Sequence, residues 1–439
     1  MGIGVVSSVV CCLGNPSCCR VAVTQAHTHD SRLTANCKMI LTNCAACAAP
    51  LHTPAKQCSR CKTRYCGPAC QEQHWNAGGH KDVCKLIKKG GGAEQYNADK
   101  KYKEAVAEAV EECAEDTKGQ TCYICTEAVH WKTKEGLVRM CACRGTTGFA
   151  HVSCLAEQAK ILCDDVEENR TGTAIAERWR QWGFCNLCKQ RHHGVVEHAL
   201  GWACWKTYVD RHENDVYRGN AMSRLVNGLG AVDRHEERLQ IELSQLATAT
   251  RCGYPEERIL AIKMSLANCH GELDQEAEAL ALHRDVHARR VTLGVSPKKV
   301  FLSALNLCYS LLNTKQYAEA KPFILEQLPK ARLALGAENE IYAKLRCCYA
   351  LCLYRNDGAS LHELVAAVAI LEHLSSWARQ VYGPAHPLTK WIQEDSEEAQ
   401  GQLASFEDPD GITIEDLAGA VDCTVEELKA EYARIPGDA

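Results

Sequence analysis

The chain has 439 residues and a formal net charge of −5. That near-balance speaks against a bulk electrostatic partner such as nucleic acid, and no stretch approaches the roughly 18 apolar residues of a membrane span. Of its 29 cysteines, eight fall in tight C-x2-C pairs with histidines at regular offsets, in a chain far too long for a secreted disulfide scaffold. Such usage reads as zinc binding in a reducing compartment, cytoplasmic or nuclear. The length allows about three domains, and scarce aromatics with abundant Ala and Leu favour a mostly α fold.

Residues 1–43 read as a disordered leader. "MGIGVVSSVVCCLG" is apolar but has no positive n-region, so it is a poor signal peptide. Val6 stands where myristoylation needs Ser or Thr. The pairs Cys11–Cys12 and Cys18–Cys19 are chemically open to acylation.

Residues 44–84 carry eight candidate ligands: Cys44, Cys47, Cys58, Cys61, Cys66, Cys70, His80 and Cys84. Eight donors make two tetrahedral sites with no position left open for catalysis. Cys66 with Cys70, and His80 with Cys84, are spaced to share one face of a helical turn. With Tyr65, Gln71 and Trp75, these ligands closely resemble a MYND zinc finger. The resemblance implies interleaved sites, Cys44, Cys47, Cys66 and Cys70 on one zinc and Cys58, Cys61, His80 and Cys84 on the other. It also implies a protein-interaction module, often for short proline-containing peptides. MYND fingers can sit beside a methyltransferase SET domain, but no SET-like segment is found here. His52 reads as a loop residue, His74 as a solvated helix residue, and Trp75 as core.

Residues 85–120 open on the run Gly90–Gly92 and read as a flexible linker, followed by a helix from Asp99 to about Glu115. Cys113 on that helix has no evident partner.

Residues 121–210 repeat the theme. Cys122, Cys125, Cys141, Cys143, His151, Cys154, Cys185 and Cys188 again make eight soft donors for two closed, structural zinc sites. Four zinc ions per chain are therefore expected. So polar a segment cannot build a large core, and the metals should supply much of its folding free energy. A PHD finger usually has an aromatic residue where Gly183 stands, and an ordinary RING has C-x-H where this chain has Cys141-Ala-Cys143. The short C-x-C and "HVSCL" look most like a RING-CH domain, the variant RING of some ubiquitin ligases. That resemblance implies a cross-brace, with Cys122, Cys125, His151 and Cys154 on one zinc and Cys141, Cys143, Cys185 and Cys188 on the other. It further implies contacts to a ubiquitin-conjugating enzyme through Ile124, Trp182 with Trp179 nearby, and Lys189. Two departures weigh against it: no Pro stands between Cys185 and Cys188, and the loop from Cys154 to Cys185 is long and charged. Cys163 reads as a helix or loop residue. His192, His193 and His198 lack a complete ligand set, so they read as packed or exposed. Trp202 and Trp205, spaced i,i+3, should pack on the zinc module.

Residues 215–405 contain four segments aligned at a period of 41, starting at Arg224, Ser265, Asn306 and Cys347. Their connectors carry Gly253, Gly294, Gly336 and Gly383. Each unit reads as helix–turn–helix, which must stack on neighbours to bury its apolar face. The pattern resembles tetratricopeptide repeats of the kinesin-light-chain type and implies a peptide groove, with Asn268 and Asn306 as candidate groove residues. Cys269, Cys308, Cys347, Cys348 and Cys352 read as small buried apolar residues. The tail, 406–439, offers two short helices with a Thr424–Glu427 capping box. The architecture expected is thus two cross-brace zinc modules followed by an α-helical superhelix, an arrangement similar to that of multi-domain algal proteins. Two functions stay open: a soluble ubiquitin ligase that selects substrate with its other modules, or a non-enzymatic adaptor with three protein-binding modules.

Overall fold

The computed structural model describes residues 44–47, 49, 51, 55–169 and 174–406. The leader, His52 and the tail beyond Phe406 with its expected capping box lie outside the described residues. Helices dominate, and no helix among the described residues is long and apolar enough to cross a membrane. The chain divides into two compact units, with the division after Ile262.

The first unit begins with a two-stranded antiparallel sheet, β1 (Lys56–Gln57) and β2 (Arg64–Tyr65), in which Lys56 faces Tyr65. Helices α1 (Pro68–Asn76) and α2 (His80–Lys89) follow. Pro68 opens α1, where its missing N–H costs nothing. The run Gly90–Gly92, expected to be a flexible joint, is instead a tight turn. Gly91 and Gly92 take φ values of 86° and 106°, a region that glycine reaches without steric cost. The Gly92 and Ala93 amides donate to the Ile87 and Cys61 carbonyls at 3.0 and 3.1 Å. So α3 (Ala93–Glu112) starts earlier than its expected Asp99. Ala93 and Tyr96 pack into the small core around Tyr65 and Ile87. Ala98, Tyr102, Ala105, Val106 and Ala109 belong to the larger core that follows. The segment 85–120 is therefore a shared wall of two cores.

That larger core gathers α4 (Val152–Asn169), α5 (Ala174–Trp179), a 3-10 turn (Arg180–Trp182), α6 (Gly194–Tyr208), α7 (Val216–Gly230) and α8 (His235–Arg251). A helix apolar on all sides must be buried, and α6 is: Val196, Ala199, Leu200, Trp202, Cys204 and Trp205 all lie in the interior. Trp202 donates to His198 Nε2 at 3.0 Å, which gives that histidine a packing role. Two glycines let α7 approach α6 closely. A Cβ on Gly228 would meet the Glu197 carbonyl at 2.9 Å, and one on Gly201 the Arg224 carbonyl at 3.0 Å. This contact ties the first helical-repeat pair, α7 with α8, to the zinc-bearing unit. The expected domain boundary near residue 215 is for that reason not the boundary of a compact unit.

The division falls inside α9 (Glu256–Gly271). The second unit continues with α10 (Glu276–Thr292), α11 (Pro297–Asn313), α12 (Tyr317–Leu335), α13 (Glu340–Tyr354), α14 (Leu361–Tyr382) and α15 (Pro387–Ala404). The expected repeats map onto the pairs α7–α8, α9–α10, α11–α12 and α13–α14. The turns inside the first three pairs share one chemistry. Asp233, Asp274 and Lys315 each take a left-handed φ of 54° to 57°, and the next residue's amide donates back to Leu229, His270 or Leu311 at 2.8–3.0 Å. That is a Schellman ending built without glycine. The connector glycines 253, 294, 336 and 383 all have positive φ. The cysteines expected to pack do so, with Cys308, Cys347, Cys348 and Cys352 in the core of this unit.

Helix α13 is buried along almost its whole length. Asn306 is only 5 % exposed, so it is a packed residue and no groove contact. Asn268, half-buried, is bonded to His283 Nε2 at 3.1 Å. Against α13, Asp395 on α15 accepts from Tyr354 and Arg355 at 3.2 and 2.8 Å. Burial pushes its carboxyl up to about 6, even with the Arg355 guanidinium drawing it down. The unfolded group titrates near 3.9. As pH falls, the folded chain therefore takes up this proton first, and the folded state gains from Asp395 between pH 6 and about 4. We expect hydrogen exchange of α13 and α15 to slow relative to Asp395→Asn as pH drops from 7 to 4.5, by a free-energy difference of about 2 kcal/mol.

Candidate metal centres

Four groups of four donors stand in the first unit. They are Cys44, Cys47, Cys66 and Cys70; Cys58, Cys61, His80 and Cys84; Cys122, Cys125, His151 and Cys154; and Cys141, Cys143, Cys185 and Cys188. Within each group the donor atoms all lie within 4.8 Å of one another. In both modules the first and third ligand pairs meet, as do the second and fourth, so the chain crosses between sites.

The spacing suits zinc. Tetrahedral bonds of about 2.3 Å hold sulfurs about 3.8 Å apart. Here Cys47–Cys66 is 3.6 Å, Cys58–Cys84 3.8 Å and Cys143–Cys185 3.7 Å. Imidazole nitrogens fill the remaining corners: His80 Nε2 lies 3.4 Å from Cys61 Sγ, and His151 Nδ1 3.4 Å from Cys125 Sγ. Each site has four protein donors and no open position, the mark of a structural metal.

Local backbone geometry presents the sulfurs. Three C-x2-C pairs use one turn, in which the residue after the second cysteine takes a left-handed φ: Lys62 at 65°, Thr126 at 66° and Lys189 at 60°. Its amide donates to the first cysteine's carbonyl at 2.8–3.0 Å. Side chains adopt this region only at a steric cost, which metal ligation offsets. The pairs on helices divide differently. His80 and Cys84 share a face of α2, whereas Cys66 precedes α1 and only Cys70 lies on it.

The bridge from Cys143 to His151 depends on Gly148. Its φ is 87°, and a Cβ there would lie 2.5 Å from Cys143 Cβ. Beyond the bridge, His151 and Cys154 sit at the start of α4. A residue that sequence reasoning passed over fixes that helix end. Glu135 accepts from the Ser153 amide at 2.7 Å and from its hydroxyl at 2.5 Å, so a loop carboxylate caps the helix from 18 positions away. A lone Glu in a loop carries no local signal of that role. His151 Nε2 faces the Ala128 carbonyl at 3.5 Å, which orients the ring.

The remaining expectations divide. Trp182 is 1 % exposed, packed edge-on against Tyr208 and tilted against Trp179. It is a core residue, enclosed with Trp179 and Tyr208, and presents almost no surface to a conjugating enzyme. Ile124 is half-buried and leans on the same core. Lys189 is exposed, 3.5 Å from Asn186 Oδ1, and Leu187 in the same turn is 48 % exposed. Cys113 is buried, its thiol 3.9 Å from the Arg139 carbonyl, and Cys163 is buried on α4. His192 and His198 are buried, and burial pushes them down to about 4 and about 3; neither joins a donor group among the described residues. His74 is no solvated residue: its Nδ1 lies 3.1 Å from the Tyr65 hydroxyl. Trp75 both leans on the finger's core and lines an open groove with Ser59, Arg60, Pro68, Gln71 and Glu72. Of these lining residues, only Gln71 and Trp75 were singled out from sequence.

Trp182→Ala is expected to destabilise the first unit by about 3–5 kcal/mol, read as a lower denaturant midpoint in tryptophan fluorescence.

No curated protein matches the chain. Two solved structures are similar to part of it: crystal structures of a protein described as a putative kinesin light chain of Podosopora anserina, with nearly identical TPR-like repeats. One, a point-substituted form, is 17 % identical, with a TM-score of 0.36, over 52 % of this chain and 97 % of that one. The other is 14 % identical, with a TM-score of 0.31, over 58 % and 99 %. Residues 44–84 match the family model of the MYND finger, and the first two donor groups lie within that match.

Proposed function

We propose that this chain is a zinc-stabilised adaptor that binds partner proteins and performs no chemistry of its own. The observation that carries this reading is the open groove beside Trp75 on the first finger. Apolar Trp75 and Pro68 line it together with polar Ser59, Arg60, Gln71, Glu72 and Asn76, a mixture that suits a short extended peptide. The four metals act as structure: every coordination position is taken by protein, so none can activate water or polarise a substrate. The second module, RING-CH-like in spacing, presents surface rather than catalysis, and the helical pairs behind it supply further area for docking.

A second reading, a ubiquitin ligase, draws on one observation. The last ligand turn of the second module projects Leu187 and Lys189 to solvent, where a conjugating enzyme could dock. Self-ubiquitination by the purified chain, lost in Ile124→Ala with zinc retained, would favour it. No product with any conjugating enzyme of a broad panel would remove it.

Two outcomes test the adaptor. Metal analysis of the purified chain should give four zinc ions, falling to three in Cys188→Ser; a count of two would remove one module from the reading. Binding of a labelled proline–leucine peptide should weaken at least tenfold in Trp75→Ala at unchanged zinc content, followed by fluorescence anisotropy.

A further inference from the structure

The chain as a whole is acidic, yet residues 44–92 hold eight Lys and Arg against only Glu72 and Asp82. Half of those basic residues lie on α2, as Lys81, Lys85, Lys88 and Lys89. Arg60 lines the groove, and so does Cys84 of α2. On α2, Lys81, Lys85 and Lys88 recur at i, i+4 and i+7, on the side of the helix that carries Cys84. All three lysines are exposed, and none forms an ion pair with another described residue. The opposite edge of α2, with Val83 and Leu86, carries no basic residue. A basic stripe thus runs from the groove along one edge of one helix.

We propose that the partner held by the first finger is a peptide with an acidic flank: its apolar residues enter the groove and two or three Asp or Glu side chains lie along Lys81, Lys85 and Lys88. The proposal rests on the groove reading above and adds the chemistry of the partner. From Lys81 to Lys88 the helix rises about 10 Å, the length of about three extended residues. The acidic residues should therefore form a run of about three that adjoins the apolar ones.

The test uses the zinc-loaded full chain and two labelled peptides, one neutral proline–leucine peptide and the same peptide with three Glu appended. The acidic form should bind about tenfold tighter at low salt, and the gain should vanish near 0.5 M salt. In the variant Lys81→Ala/Lys85→Ala/Lys88→Ala, the acidic peptide should fall to the affinity of the neutral one, whose own binding stays unchanged. Equal binding of both peptides overturns this inference and leaves the groove reading intact. Binding of the acidic peptide alone, sensitive to the lysines, supports the stripe and overturns the groove. Binding of neither overturns both. Lysine-dependent capture on vesicles containing phosphatidylserine, with no gain for the acidic peptide, assigns the stripe to a lipid surface and overturns the proposal.

Discussion

A tetrahedral metal site with four protein donors must be closed by residues that the chain brings from two places. When two such sites interleave, neither can close unless the strand between them has already turned in the right direction. Every local feature of the first unit serves that constraint. The left-handed turns after Cys61, Cys125 and Cys188 aim sulfurs inward. Gly148 removes the one Cβ that would block the bridge to His151. Glu135 caps the helix that carries Cys154. None of these contacts is worth much alone; together they convert ligation into a defined fold.

Packing then extends what the metals begin. Small zinc modules bury little apolar surface, but this one is backed by α6, whose tryptophans and alanines fill a sizeable interior. Trp182 illustrates the consequence. In a free-standing zinc module an aromatic residue near the last ligand pair could face solvent and serve a partner. Here α6 lies over that position, and burial of the ring contributes stability instead. The apolar surface this module leaves open lies elsewhere, at Val129, Trp131, Ile161 and Leu187.

The set of ligands was legible because zinc chemistry restricts residue type and spacing at once, while their division between two metals was what the resemblance to cross-braced fingers implied. Cysteines at C-x2-C intervals and a histidine in register leave few alternatives. The repeat period was legible for a related reason: a unit that packs on its own copy repeats its apolar positions, and even the turn residues Asp233, Asp274 and Lys315 keep the interval of 41. Contacts between distant elements were not legible. Nothing near Gly90 says that the next helix starts at once, because the partners of that turn are the carbonyls of Cys61 and Ile87. Nothing near Asn306 says that α13 and its neighbours enclose it. Glu135 and Ser153 are ordinary residues until the fold sets them side by side.

Helix α3 contributes its first turn to one core and the rest of its length to another. The two zinc modules are therefore joined by a stretch of helix that packs into both cores. A flexible joint would let each module search for its ligand alone, with the gain from double engagement set by the tether on this side. A helical strut transfers that choice to the other molecule: only a partner whose two recognised segments are spaced to match can occupy both surfaces at once.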